Sequence, residues 1–64
     1  MKWISVDEEL PETEERIVVW LGNGFDEFER AYFDGWNFKE SYSQETLNDD
    51  LITHWAKIEP PINV

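Results

Sequence analysis

Four tryptophans, two tyrosines and four phenylalanines in a chain of 64 residues, with no cysteine to staple them, set the first limit on the fold. At 7.7 kDa, area scaling gives roughly 11,000 Å² for the extended chain and roughly 4,300 Å² for the folded one, so about 60% of the surface is buried. A domain that small lies near the margin of stability, and each aromatic side chain can bury about 150–250 Å². Residues 1–64 are therefore expected to form a single domain. Its core stock is expected to be Trp3, Trp20, Trp36 and Trp55 with Phe25, Phe28, Phe33, Phe38, Tyr32 and Tyr42. With most of these committed to structure, a deep private ligand pocket is not expected.

The arrangement of the apolar residues predicts strands. Trp3 to Val6 is short, apolar and β-prone, and Asp7-Glu8-Glu9-Leu10-Pro11 reads as a turn or one helical turn, with Asp7 as its cap and Pro11 as the stop. Arg16 to Leu21 is a continuous β-branched and aromatic run, the pattern of a central strand buried on both faces. Gly22-Asn23-Gly24 contains the Asn-Gly hairpin signal, and Asp34-Gly35 is a second two-residue turn signal. Between them Phe28 to Phe33 alternates, with Phe28, Arg30 and Tyr32 on one side and Glu29, Ala31 and Phe33 on the other. Trp36 to Lys39 returns. Closing the second turn on Asp34-Gly35 sets Phe33 opposite Trp36 and Ala31 opposite Phe38. A two-residue closure at Asn23 adds Val18 and Trp20 to that face, which is then the predicted core face, since a one-residue slip would send the whole set to solvent. The other face, with Ile17, Val19, Leu21, Phe28 and Tyr32, needs a cover, and Trp3–Leu10 is the segment available. Glu40 to Asp50 is polar, with Tyr42 and Leu47 as isolated anchors and either a loop or a helical turn near Ser43. Leu51 to Ile58 is the final strand, stopped by Pro60 and Pro61. The predicted fold is mainly β, with room for a small α+β variant. It is an antiparallel meander of three or four strands, curled around an aromatic core, with the N-terminal segment packed on the sheet.

Fifteen acids against five bases give a net charge of −10. Direct contact with nucleic acid is disfavoured, because phosphate binding needs clustered lysine and arginine, and anionic membrane surfaces are disfavoured for the same reason. The opening Met-Lys-Trp-Ile-Ser-Val is neither a signal peptide nor an anchor, and no apolar run approaches the roughly 20 residues that span a bilayer. A cytoplasmic location is the expectation. Positions 7 to 15 hold six acids and no base, so this segment must face water.

The order Trp3-Ile4-Ser5-Val6, Leu10-Pro11, the Arg16–Leu21 run, Ala31-Tyr32-Phe33-Asp34-Gly35-Trp36, Thr53-His54-Trp55 and Pro60-Pro61 resembles the phage and prophage domain of unknown function numbered five-fifty-one. The resemblance covers nearly the whole chain. It implies a small β-rich accessory protein of a phage, prophage or other mobile bacterial element, and it implies no reaction.

No residue set points to catalysis or to a cofactor. His54 is the sole histidine, and a metal ligand wants companions at defined spacing; packing against an aromatic is the plainer expectation. Glu45, Asp49 and Asp50 lack the alternation and the turn glycine of a calcium loop. Gly22 and Gly24 lack the helix and lysine of a phosphate cradle. The serines and threonines have no nucleophile-elbow context. The chain is expected not to be an enzyme and to act by binding a host or phage protein, a basic one fitting its charge. The contact surface would lie around Trp3, Tyr32, Tyr42 and His54, and an open strand edge would also permit a homodimer. The alternative is an acidic decoy in which Asp7–Glu15 with Asp26, Glu27 and Glu29 imitates DNA phosphates and inhibits a DNA-binding host protein.

Overall fold

The computed structural model describes residues 2–59; the expected stop at Pro60 and Pro61 lies outside them. The described residues form one antiparallel sheet of five strands: β1 (Ile4–Ser5), β2 (Ile17–Leu21), β3 (Glu27–Phe33), β4 (Phe38–Glu40) and β5 (Ile52–Lys57). Their order across the sheet is β1-β5-β2-β3-β4. The mainly β prediction holds, but the strand count and the topology are corrected. Only β2, β3 and β4 form a meander, because β5 returns past them and inserts between β1 and β2.

The first hairpin decides which residues become core. Its loop spans residues 22–26, with Leu21 paired to Glu27 and Ile17 to Ala31. Asn23 (φ 55°), Gly24 (φ 103°) and Asp26 (φ 51°) all adopt left-handed backbone, which makes the loop longer than an Asn-Gly pair alone. A two-residue loop would pair odd positions with even ones. Five residues pair odd with odd, so Ile17, Val19 and Leu21 share a face with Ala31 and Phe33. The assignment of Val18 and Trp20 to that face is overturned.

The second hairpin also differs from expectation. Phe33 pairs with Phe38, not Trp36, and residues 34–37 form the loop. Asp34 builds it: its Oδ1 accepts from the backbone N–H of Trp36 (2.8 Å) and of Asn37 (2.7 Å), while its own N–H donates to the Asn37 carbonyl at 3.1 Å. Gly35 supplies the required φ of 102°. Lengthening the loop by an even number of residues leaves the parity intact, so Phe38 still faces Phe33, with ring centroids 5.0 Å apart. Trp36 is displaced to the loop tip and is 86% exposed.

The core is Ile17, Val19, Leu21, Ala31, Phe33, Phe38, Ile52 and Trp55, with Ile4, Val6, Leu47 and Leu51 packed against it. Among the described aromatics only Phe33, Phe38 and Trp55 are buried; aliphatic residues do most of the work assigned to tryptophan. Two connecting segments cover this face. Residues 6–15 are tied down where Trp55 Nε1 donates to the Glu9 carbonyl (2.8 Å) and where the Glu14 N–H donates to the Phe33 carbonyl (2.8 Å). Residues 45–51 contribute Leu47 and Leu51 and end in a 3-10 turn, Asp49–Leu51, capped by the Asn48 side chain. The N-terminal cover lies over Ile17, Val19 and Leu21 as predicted, but the loop parity joins these to Ala31 and Phe33, so Phe28 and Tyr32 are not on the covered face.

Candidate functional site

With both covering segments on one side, the other face of the sheet is left open. Alternation places Ser5 of β1, Val18 and Trp20 of β2, Phe28, Arg30 and Tyr32 of β3, Lys39 of β4, and His54 and Ala56 of β5 on it. Val18 and Ala56 are buried yet stand outside the core cluster, so they form the floor of this second face. Around that floor Trp3 and Phe28 remain exposed, Phe28 at 62%. On a chain this short, an exposed aromatic side chain forgoes burial that stability could use.

Two hollows lie on the open face. The first has a volume of about 320 Å³ and is lined by Trp3, Trp20, Thr53 and His54. Trp3 and Trp20 meet edge to face, centroids 5.9 Å apart at 68°, a favoured aromatic geometry. The pairing of β2 with β5 shifts register between Trp20 and Leu21, where Thr53 is the extra residue. The neighbouring His54 has its Nδ1 2.9 Å from Thr53 Oγ1. Gly22 packs close by: a Cβ there would sit 3.0 Å from Thr53 Cγ2 and would have to push that side chain aside.

The second hollow, about 350 Å³, is lined by Arg16, Arg30, Glu40, Ser41, Tyr42 and Ile58. Glu40 is committed to its own turn. Its carboxylate accepts from the backbone N–H of Ser43 (2.7 Å) and of Tyr42 (2.9 Å), which together hold its pKa below the usual carboxylate range. Tyr42 stands free on that turn at 96% exposure. Two ion pairs exist among the described residues, Lys39 with Asp34 and Lys57 with Glu15, each at 4.0 Å. Arg16 and Arg30 thus have no carboxylate within 4.0 Å among those residues, although the chain carries fifteen acids.

The four residues singled out from the sequence do not form one cluster. Trp3 and His54 meet in the first hollow, Tyr42 lies at the second, and Tyr32 sits on the same sheet face opposite Lys39. Trp20, Phe28, Arg16 and Arg30 were missed. The alternation of Phe28, Arg30 and Tyr32 was a signal for them, but the core had been assigned to the wrong side of β2. Among the described residues no three histidine or carboxylate side chains converge as a metal site, and no helix is long and apolar enough to cross a membrane.

A family model described as protein of unknown function (DUF551) matches residues 2–61 of the chain. No curated protein and no solved structure matches it.

Proposed function

We propose that this chain, which belongs to the DUF551 family of proteins of unknown function, is a protein-interaction module that docks through the open face of its sheet and catalyses nothing. The observation that carries the reading is exposed Trp3 packed edge to face on half-buried Trp20 beside exposed Phe28, an aromatic surface on a domain with little apolar area to spare. Exposed apolar patches of this kind mark binding surfaces, and tryptophan is over-represented among the residues that dominate interface energy. We place it as an accessory protein of a phage or related mobile element, acting on a host or phage protein in the cytoplasm; that origin rests on the Trp3–Val6 and Thr53–Trp55 patterns.

The test is capture of partners from host lysate by the unaltered chain and by a Trp3→Ser/Phe28→Ser variant, with Trp36→Ser as control. The same partner should be retained by the control and lost by the double variant. Retention by the double variant refutes the reading. If that retained complex also dissolves steeply with added salt, the acidic decoy takes its place, because long-range charge contacts are screened while apolar ones are not.

A further inference from the structure

We propose that Arg16 and Arg30 form a clasp for a carboxylate, and that the open face takes an extended acidic segment of a partner protein whose aromatic or bulky aliphatic residue fills the Trp3–Trp20 hollow. The inference rests on the reading of this face as a docking surface and names what it docks. Charge complementarity carries it. On a chain of net charge −10, Arg30 and Lys39 lie on one sheet face, and Arg16, just before β2, lines the same hollow as Arg30. Lys39 is spent on Asp34, whereas both arginines are unpaired among the described residues. Glu40 lines the same hollow, but its two oxygens turn to the N–H groups of Ser43 and Tyr42 and neither arginine comes within 4.0 Å of them.

The register gives the spacing. Arg30 pairs with Val18, and Arg16, two residues before Val18, lines the same hollow as Arg30, which corresponds to the roughly 7–8 Å separation of diagonal neighbours. A carboxylate between them can accept from both guanidinium forks. Trp20 stands four residues from Arg16 on the same strand face, about 13 Å away at strand rise. Val18 and Ala56 provide a low floor between the two hollows. An extended peptide repeats its facing side chains every two residues, so an anchor at one position and an Asp or Glu four positions on would reach both hollows together. A nucleic-acid strand fits less well. Its affinity grows with the number of phosphates neutralised, whereas the two free arginines of this face suffice for one carboxylate.

Selection of random extended peptides against the full chain tests this. Enriched sequences should carry an aromatic or large aliphatic residue with an acid four positions away. Changing that acid to its amide should weaken binding about ten-fold, and Arg16→Ala/Arg30→Ala should abolish the difference between the acid and amide peptides. The peptide substitution leaves the protein untouched, so the result does not depend on the variant's folding. Enriched peptides with the apolar anchor but no acid preference overturn the clasp and leave the docking reading standing. Enriched peptides that bind a Trp3→Ser/Phe28→Ser variant unchanged, or no enrichment at all, overturn both. Binding of a thymidine oligonucleotide that the double arginine variant loses would overturn the peptide assignment in favour of a nucleic-acid strand.

Discussion

Replacing Trp55 by phenylalanine tests both the core assignment and the anchoring of the acidic cover. Trp55 is 1% exposed and lies between Ile4 of β1 and Val19 of β2, while its Nε1 holds the Glu9 carbonyl at 2.8 Å. Trp55→Phe keeps an aromatic ring in place but removes the hydrogen bond, a loss of about 1 kcal/mol. The smaller ring also gives up the equivalent of roughly two buried methylenes at about 0.8 kcal/mol each. Together the cost is about 2.5 kcal/mol, a large share of the ~3–10 kcal/mol that a chain of this length can hold. At about 4–8 °C per kcal/mol, the melting temperature should fall by roughly 10–20 °C. Urea unfolding followed by far-ultraviolet circular dichroism measures this without relying on the tryptophan signal. Trp36→Phe is the matched control, expected to stay within about 0.5 kcal/mol because that ring is in solvent. Amide exchange should also accelerate at Glu14, whose N–H bonds the Phe33 carbonyl in the same covering segment. A cost under 0.5 kcal/mol at Trp55, or an equal cost at Trp36, would refute the placement of the two rings.

Three further outcomes follow from the same geometry. Val19→Ala should cost about 2 kcal/mol in urea unfolding, whereas Phe28→Ala, on the open face, should be nearly neutral; the reverse ranking would mean that the loop parity is wrong. Gly35→Ala should cost about 1–2 kcal/mol for its left-handed backbone, with no steric share, since the new Cβ would meet Thr13 Cγ2 at an ordinary 3.5 Å; a neutral result would dispose of the four-residue loop. The carboxyls of Asp34, through the N–H groups of Asn37 and then Trp36, and of Glu40, through Ser43 and then Tyr42, have pKa values below their ordinary range. The unfolded chain then binds more protons just below about pH 4, so their stabilisation is full above that range and is lost as pH falls through the folded values. Asp34→Asn/Glu40→Gln should flatten the acid limb of the stability curve, and an unchanged limb would count against these turns.

Much of the candidate site was written in the sequence without being legible there. Trp3 and His54 stood out, and they do share a hollow. Arg16 and Arg30 could not be joined, because they lie fourteen residues apart and become neighbours only through the β2–β3 register. The placement of Trp20 against Trp3 on the open face was hidden by the same register.

The sequence by itself determined the features that depend on short stretches of chain. The β-branched run at Ile17–Val19 makes a strand, Asn23-Gly24 and Asp34-Gly35 reverse the chain, and fifteen acids against five bases fix the charge. Tertiary structure decided the face. One residue more or less in the loop 22–26 exchanges inside for outside along β2, and local turn chemistry does not count residues that finely. The choice fell to the side on which Ile17, Val19, Leu21, Phe33, Phe38 and Trp55 could be closed over together by residues 6–15 and 45–51. That cooperative burial left Trp3, Trp20, Phe28, Arg16 and Arg30 on the open side.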